Sequence, residues 1–368
     1  MVIGAGLLGL ATAYALADRG QDVVCLERDE VGGERSGSRG TSRIFRLGYD
    51  DPLYVAMAAR AEGRWRSLER ACGERLLDPC AVLNFGEGLD ELIAGMTMAG
   101  SSPELLAADE VRSRFPSLAI EGPAVLDPSG GVLRADRVLA GLRSKMQAEL
   151  REHVAVTGIA DDGPRAQVRT HDGVLEAPVV VVCAGVGSRG LLRSAGIECR
   201  TVATFEQVAY FGLAPEGGWE VGDVELVPVV IERVGSGSGQ VALYGLPSPA
   251  LGWYKLGIHH TGPEVAPEAP TVAPDSAFTD RLVRAAPSIV RSLDPAPRLV
   301  ERCLYDNTID EHFVIDRIGR IVIGAGTSGH GFKFGPLLGS LLADLATGSR
   351  SSVPLDRFSA RRAAVASP

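Results

Sequence analysis

The stretch VIGAGLLG, at residues 2–9, decides the fold that we predict for this chain. Two apolar residues precede three glycines, Gly4, Gly6 and Gly9, and an apolar segment with helical spacing follows at residues 10–17. Such a turn lets the backbone approach a pyrophosphate closely and points the N-terminus of a helix at its negative charge. The stretch therefore predicts a strand, a phosphate-binding turn and a helix.

A second strand is predicted at residues 22–26, and Glu27 follows it directly. An acidic residue at the end of the second strand of such a unit binds the ribose of a dinucleotide. The three glycines alone are a weak signal. With the strand, the helix and the acid in register they predict dinucleotide binding, without distinguishing FAD from NAD.

Further elements of the same type recur along the chain. Residues 178–185 and 321–326 are continuous apolar runs that end in small residues, which is typical of buried strands in a parallel sheet. Helices are predicted at about residues 53–72, 136–152 and 337–346. Strand-rich segments lie between these pieces, so the sequence predicts an α/β fold whose sheet domain comes from three pieces, with a second domain inserted twice.

Composition excludes several other classes of protein. The 368 residues carry 37 Lys and Arg against 46 Asp and Glu, and this net charge of −9 argues against nucleic-acid binding. No apolar run reaches the roughly 20 residues that span a bilayer, and we expect neither a membrane anchor nor an export signal. The six cysteines form no CxxC pair and are expected to be reduced thiols of a cytoplasmic protein. No cluster has the spacing of a metal site.

Four stretches resemble one family. They are residues 4–9, residues 42–46 at the end of an Arg-rich loop, residues 254–259, and residues 303–316 taken with 328–334. In these the sequence resembles the flavin-dependent amine oxidases of the D-amino-acid-oxidase superfamily, in the group of monomeric sarcosine oxidase and N-methyltryptophan oxidase. Order and rough spacing match over nearly the whole chain. The glycine fingerprint is not specific, whereas the pieces at 310–313 and 329–334 are.

The resemblance implies a fold and an activity. The fold is a Rossmann-like FAD-binding domain with an inserted, mostly antiparallel α+β substrate domain. We expect the FAD-binding domain at residues 1–78, 137–203 and 300–368, and the substrate domain at 79–136 and 204–299. The implied activity is the oxidation of a secondary amino acid, N-methyl or cyclic, to an imine, with O2 reoxidising the flavin to give H2O2. The implied protein is a monomer.

The resemblance also implies the residues that hold the cofactor. A cysteine at the position of Cys303 forms a thioether with the 8α-methyl group of FAD in this family, so covalent flavin is expected. The alternative for Cys303 is an ordinary buried thiol. The other residues expected to contact the cofactor are Gly4, Gly6, Leu7, Leu8, Gly9, Glu27, Arg28, Ser42, Arg43, Ile44, Ile159, Ala184, Gly185, Tyr305, Gly326, Gly329, His330, Gly331, Phe332 and Lys333.

Six residues match family positions around the reacting atoms. Arg46 and Lys333 correspond to the cations that bind the substrate carboxylate, for which a guanidinium fork and an ammonium are well suited. Arg43 corresponds to an arginine that stabilises the negative charge of the reduced flavin.

Lys255 corresponds to the lysine at which oxygen is activated. It lies between apolar neighbours in a predicted strand, where an idle ammonium is unfavourable. By strand alternation, solvent exposure remains the alternative. Tyr244 and His259 correspond to residues that line the substrate cavity, and we expect them to shape it rather than to transfer protons.

Three departures from the family pattern concern the substrate. Arg39 replaces a histidine, Glu206 replaces an arginine and Val186 replaces a tryptophan. An extra acidic group at Glu206 would suit a cationic substrate. Two alternative functions therefore stay open, a biosynthetic oxidase that desaturates or aromatises a cyclic imino acid and a dehydrogenase with another electron acceptor. A non-catalytic dinucleotide-binding protein is a third, disfavoured by the paired cations Arg46 and Lys333.

Overall fold

The computed structural model describes residues 1–213, 223–234, 241–269, 273–291 and 293–366. The strands are β1 Val2–Ile3, β2 Val24–Leu26, β3 Ser42–Phe45, β4 Leu77–Pro79, β5 Val82–Gly86, β6 Glu104–Leu106, β7 Ala124–Asp127, β8 Gly131–Arg134, β9 Glu149–Arg151, β10 Val156–Ala160, β11 Ala166–Thr170, β12 Gly173–Ala177, β13 Val180–Val182, β14 Val202–Leu213, β15 Val229–Arg233, β16 Val241–Ser248, β17 Trp253–Ile258, β18 Leu293–Asn307, β19 Val314–Ile318 and β20 Ile321–Ala325. The helices are α1 Leu7–Ala17, α2 Pro52–Cys72, α3 Leu89–Met98, α4 Ala108–Arg114, α5 Ala135–Lys145, α6 Ser188–Ser194, α7 Ser276–Ala285, α8 Gly335–Thr347 and α9 Ala363–Ala366.

A six-stranded sheet forms the first layer of the molecule, in the order β19-β20-β13-β1-β2-β9. All neighbours are parallel except β19, which pairs antiparallel with β20 at the edge. Strands β1, β13 and β20 are buried along their whole length, as their continuous apolar sequences predict. Their carboxyl ends meet at one edge, where α/β sheets bind their ligands.

An eight-stranded sheet forms the second layer, in the order β18-β14-β17-β16-β15-β5-β7-β6. Its neighbours are antiparallel except β15 and β5. The long strands β14 and β18 pair from Val202 and Asn307 to Leu213 and Leu293. Together the two sheets confirm the predicted fold class, a Rossmann-like domain joined to a mostly antiparallel one.

Helix α2 carries the buried aromatic residues Tyr54 and Trp65, and its ends follow from its sequence. Asp51 accepts a hydrogen bond from the backbone of Leu53 at 2.9 Å, Pro52 takes the first helical position, and Gly73 ends the helix in the left-handed conformation. These are the preferred residues at each position. The predicted helix at about 53–72 is therefore confirmed.

One helix prediction is wrong in its second half. Residues 136–152 were expected to be helical, but α5 ends at Lys145 and residues 149–151 form β9. Strand β9 supplies the backbone partners of β2: Glu149 donates to Val23 and Glu27 donates to Arg151, both at 2.9 Å. Sheet pairing thus overrides local helical pattern at this edge.

No helix in the described part of the chain is both long enough and apolar enough to cross a bilayer.

Candidate functional site

A cavity of about 930 Å³ lies between the carboxyl edge of the six-stranded sheet and the inner face of the eight-stranded sheet. This volume is at the upper end of the range for small-molecule and cofactor sites. Among the residues that the sequence singled out, those lining the cavity are Gly4, Gly6, Leu7, Leu8, Glu27, Arg28, Ser42, Arg43, Ile44, Arg46, Ala184, Gly185, Tyr244, Lys255, His259, Cys303, Tyr305, Gly329, His330, Gly331, Phe332 and Lys333.

Three predicted cofactor contacts do not line it. Gly9 packs against the turn itself, because a side chain there would meet the carbonyl oxygen of Gly4. Ile159 is fully buried in a core cluster, while Val154 and Val156 line the cavity nearby. Gly326 donates its backbone N–H to Asp306 Oδ2 at 2.6 Å, and of these two residues only Asp306 lines the cavity.

The glycine turn and Glu27 are tied together at one end of the cavity. Glu27 Oε2 accepts a hydrogen bond from the backbone of Ala5 at 2.7 Å, and Oε1 accepts from Asp29 at 3.1 Å. Gly4 adopts φ +93°, and a Cβ on it would lie 2.5 Å from the carbonyl oxygen of Cys183. Helix α1 begins directly behind this turn. The arrangement presents a helix N-terminus to the cavity, as a phosphate site requires.

Arg46 and Lys333 converge on one aromatic residue, Tyr49. The guanidinium carbon of Arg46 lies 4.3 Å from the centre of the Tyr49 ring, and Lys333 Nζ donates to the Tyr49 hydroxyl at 2.9 Å. Both cations are buried, and neither forms an ion pair with a carboxylate of the described residues. Burial, together with the charge of Arg46, holds the pKa of Lys333 well below its ordinary value. Two buried cations without an ion-pair partner favour an anionic ligand, although the charges of Asp127 and Asp50 act on Arg46.

Arg43 and Lys255 form a second cationic pair, and they share one acceptor. The backbone carbonyl of Ser42 accepts from Arg43 Nη1 at 2.9 Å and from Lys255 Nζ at 3.0 Å. Lys255 is buried, so its inward orientation in β17 is settled and the solvent-facing alternative is wrong. Burial and the charge of Arg43 lower the pKa of Lys255 to about 7.

Cys303 lies in β18 beside the second pair. Its thiol is not in a disulfide. Burial raises its pKa, and the nearby charges of Arg43 and Lys255 act in the opposite direction. Burial prevails, so the group is held as a neutral thiol, and it lines the cavity close to both cations.

Aromatic side chains form the wall near Cys303. Tyr244 lines the cavity and forms a hydrogen bond with Tyr305, and burial raises the pKa of both phenols. The ring of His259 contacts Tyr305 at 5.7 Å and Tyr244 at 6.4 Å between centroids. Gly329 closes this wall, since a side chain there would overlap the Tyr305 and His259 rings.

His259 and His330 are both held neutral by their surroundings. Burial lowers the pKa of each well below its ordinary value, and the charges of Arg46 and Lys333 lower it further. Neutral imidazoles beside the cavity suit hydrogen bonding and packing rather than charge stabilisation.

The three departures from the family pattern fall in different places. Arg39 and Val186 line the cavity. Glu206 does not: its carboxylate is buried and accepts from the Thr204 hydroxyl at 2.8 Å and from the backbones of Thr261 and Gly262 at 3.1 Å. The expectation that Glu206 suits a cationic substrate is therefore wrong, because this acid holds a loop against β14.

Sequence reasoning missed Tyr49 and Asp306. No motif marks Tyr49, which lies between the Arg-rich segment and α2. One signal for the buried cations was available, however. The chain has only three lysines, Lys145, Lys255 and Lys333, among its 37 Lys and Arg residues, and the last two line the cavity.

Two buried polar atoms test whether the cavity fits a flavin. Ser42 Oγ and Asp306 Oδ1 have no hydrogen-bond partner among the described residues, and both residues line the cavity. An unpartnered buried polar atom is costly unless a ligand satisfies it. With the helix N-terminus at the glycine turn, these atoms fit a dinucleotide that is rich in hydroxyl and ring-nitrogen groups.

Comparison with known proteins gives the family. The family model described as FAD dependent oxidoreductase matches residues 1–345. The peroxisomal sarcosine oxidase of Mus musculus is 32% identical over 361 residues, covering 94% of this chain and 91% of its own length. The monomeric sarcosine oxidase of Streptomyces avermitilis is 30% identical and covers 100% of this chain and 98% of its own.

Among solved structures, the open form of NikD, an unusual amino acid oxidase essential for nikkomycin biosynthesis, is similar over 97% of this chain and 96% of its own. The TM-score is 0.82 at 25% identity. The similarity covers both sheets, so the resemblance drawn from four stretches of sequence is confirmed over the whole chain.

Proposed function

The chain belongs to the family of FAD-dependent oxidoreductases, and on this premise we propose that it oxidises a secondary amino acid, N-methyl or cyclic, to an imine. The observation that carries the proposal is the pair of buried cations, Arg46 and Lys333, which line the cavity without a carboxylate partner among the described residues. Sarcosine oxidase, the name of the relatives, denotes an enzyme that acts on an N-methyl amino acid.

The cofactor supplies the redox chemistry, and the chain positions the reactants. When bound, FAD would supply the two-electron oxidation of the carbon next to the amine nitrogen, with O2 as the final electron acceptor and H2O2 as its product. Arg46 and Lys333 bind the substrate carboxylate and so fix which carbon faces the reacting centre. Tyr244, His259 and Tyr305 form the wall that excludes water from that carbon.

The second cationic pair, Arg43 and Lys255, is assigned a role in the reaction rather than in substrate binding. Arg43 and Lys255 stabilise negative charge that develops during the reaction rather than charge that arrives with the substrate. Support comes from their shared acceptor, the neutral carbonyl of Ser42, and from the absence of an ion pair to either cation among the described residues, although the charge of Glu301 acts on Lys255. Lys255 is proposed to act on oxygen.

We propose further that the FAD is covalent, through a thioether to Cys303. Supporting this, the thiol lines the cavity next to Arg43 and Lys255 and is free of any disulfide. Denaturation in acid tests the linkage. If the yellow colour precipitates with the protein, the bond is covalent; if it passes into the supernatant, Cys303 does not hold the cofactor.

Of the other predicted cofactor contacts, those that line the cavity are proposed to hold FAD, and Gly9, Ile159 and Gly326 are not among them. The FAD-binding domain is taken as residues 1–78, 137–203 and 300–368, and the substrate domain as residues 79–136 and 204–299. The strands of the six-stranded sheet fall in the first set and most of those of the eight-stranded sheet in the second.

A biosynthetic oxidase acting on a cyclic imino acid is the second candidate. It is favoured by Arg39 and Val186, which depart from the family pattern and line the cavity. Comparing acyclic N-methyl amino acids with ring amino acids as substrates separates the two candidates. The yield of H2O2 under air decides between O2 and another electron acceptor.

We place the protein in the cytoplasm as a monomer. All six cysteines are unpaired, which suits a reducing compartment. The Streptomyces relative is named a monomeric enzyme. Size-exclusion chromatography with light scattering tests the oligomeric state.

An anaerobic screen tests the activity itself. The purified protein is mixed with secondary amino acids in the absence of oxygen, and the visible flavin absorbance is followed. Bleaching with at least one N-methyl or cyclic amino acid is expected. A chain that takes up no FAD, or that no amine bleaches, would show that the function is not oxidation.

A further inference from the structure

We propose that Tyr49 is the positioning residue of the carboxylate site, because this one phenol sets the orientation of both Arg46 and Lys333. The inference rests on the proposed function, since it assumes that these two cations bind the carboxylate. Tyr49 does not line the large cavity, so it would act through the two cations rather than by touching the substrate.

Tyr49 belongs to a chain of hydrogen bonds whose direction is fixed at its far end, at His330. His330 Nε2 lies 2.9 Å from the backbone carbonyl of Glu311, which can only accept, so this nitrogen carries the proton. Burial and the nearby cations keep the imidazole neutral, by lowering its pKa. His330 Nδ1 therefore has a lone pair and must accept.

The acceptor role of His330 Nδ1 decides how the Tyr49 hydroxyl binds Lys333. The hydroxyl oxygen of Tyr49 lies 3.1 Å from His330 Nδ1, and the hydroxyl donates to that nitrogen. Burial raises the pKa of Tyr49 to about 12, so the proton stays on the phenol at neutral pH. The lone pairs of the hydroxyl oxygen are then free for Lys333 Nζ, which donates at 2.9 Å.

Two hydrogen bonds set the geometry at the ammonium group of Lys333. Lys333 Nζ also donates to the backbone carbonyl of His330 at 2.9 Å. In the ammonium form, which a bound carboxylate favours, these two acceptors take two of the three N–H directions and the third is left for the ligand. His330 takes part in both contacts, because its ring accepts from Tyr49 and its backbone carbonyl accepts from Lys333. The two hydrogen bonds of Lys333 together fix the direction of its remaining N–H.

The ring of Tyr49 contacts the other cation of the site, Arg46. Arg46 lies over it at 4.3 Å and donates to the backbone of Gly48. A cation over an aromatic face is stabilised by the ring quadrupole, and the stabilisation grows when water is excluded. The ring of Tyr54 stacks on that of Tyr49, with 5.3 Å between the centroids.

The chain offers a matched control in the same cluster. Tyr54 is also buried and aromatic, but its hydroxyl lies 3.0 Å from His312 Nδ1 and contacts neither cation. Replacing each tyrosine by phenylalanine removes one phenol oxygen and keeps the ring. A difference between Tyr49→Phe and Tyr54→Phe therefore reports on the Lys333 hydrogen bond and not on packing.

The test measures binding to the holoenzyme by calorimetry, with cyclopentanecarboxylate as the anionic probe and cyclopentanecarboxamide as its neutral counterpart. Tyr49→Phe should weaken binding of the carboxylate about tenfold and leave binding of the amide unchanged. Tyr54→Phe should bind both probes as the wild type does. In the Lys333→Met background, Tyr49→Phe should have no further effect on carboxylate binding, since its partner is gone.

The outcomes separate this inference from the proposed function. If the wild type does not prefer the carboxylate to the amide, the carboxylate site and this inference both fail. If the wild type prefers the carboxylate and Tyr49→Phe binds it equally well, only the role of Tyr49 is wrong. Equal losses for the two tyrosine variants, or additive losses with Lys333→Met, would show a structural role and overturn the inference.

Discussion

Two cationic pairs face the same cavity, and they differ in what surrounds them. Arg46 and Lys333 are both buried and pack around the ring and the hydroxyl of Tyr49. Arg43 and Lys255 instead share a backbone carbonyl, that of Ser42, and lie over two different rings, Phe332 at 5.4 Å and Tyr210 at 5.6 Å. Only the lysine of this pair is buried.

The difference suggests two kinds of anionic partner. The first pair has a rigid aromatic support that fixes its geometry, as a bound carboxylate requires. The second pair is packed next to Cys303, where the proposed flavin is attached, and so is suited to charge that appears only during the reaction. The first pair should therefore control binding, and the second should control rate.

The largest effect is expected from Lys255→Met. Loss of this cation should slow reoxidation of the reduced protein by O2 about 100-fold or more, the usual size for removal of a preorganised charge-stabilising group. Reduction by the amino acid should change by less than about fivefold. Stopped-flow absorbance measures the two half-reactions separately, and equal slowing of both would remove the distinction between the pairs.

The next effect is expected from Lys333→Met, which should raise the dissociation constant for a substrate carboxylate roughly 10- to 100-fold, as expected for a lost charge-assisted hydrogen bond. Lys145→Met is the matched control, because Lys145 is exposed at the end of α5. The limiting rate of reoxidation should be the same in both variants. If Lys333→Met slowed reoxidation and left binding intact, the assignment of the two pairs would be reversed.

A smaller effect is expected from pH. Because the pKa of Lys255 is lowered to about 7, its ammonium form is present below that pH and is lost as the pH rises through it. The rate of reoxidation should therefore fall several-fold between about pH 6 and pH 8. Lys255→Met should abolish this dependence, and a rate that rises over the interval would contradict the assignment.

The smallest effect on activity is expected from Glu206→Gln. This substitution weakens the contacts that hold residues 261–262 against β14, so we expect a loss of about 1 to 2 kcal/mol in stability. Substrate preference should be unchanged, because Glu206 does not line the cavity. Thermal denaturation and a comparison of cationic with neutral substrates check both parts. A changed substrate preference would show that Glu206 does act on the substrate.

The sequence predicted those parts of the molecule that depend on local pattern. The glycine turn, the buried strands at residues 180–182 and 321–325, and helix α2 have short-range signals and are observed. The strand β9 was missed because its pairing with β2 is decided by the sheet and not by the residues themselves.

In the site, too, the residues with a local sequence signal could be predicted and those placed by long-range contacts could not. Placement of Lys333 in the cavity could be expected from the motif at 329–334, and Lys255 from its apolar neighbours in a strand. Tyr49 could not be predicted, since its role depends on the approach of Lys333 and His330, which are more than 280 residues away in sequence. Glu206 was misread for the same reason, because its partners at 261–262 come near only through folding.

Anaerobic titration shows whether Lys333 binds the carboxylate of the amino acid that reduces the flavin. Wild-type protein, Lys145→Met and Lys333→Met are each titrated anaerobically with N-methylglycine and with L-pipecolate, and the visible flavin absorbance is recorded. Wild type and Lys145→Met should bleach with at least one of the two amino acids, and Lys333→Met should need a concentration roughly 10- to 100-fold higher. If the three proteins bleach at the same concentration, or if none carries a flavin, the account is contradicted.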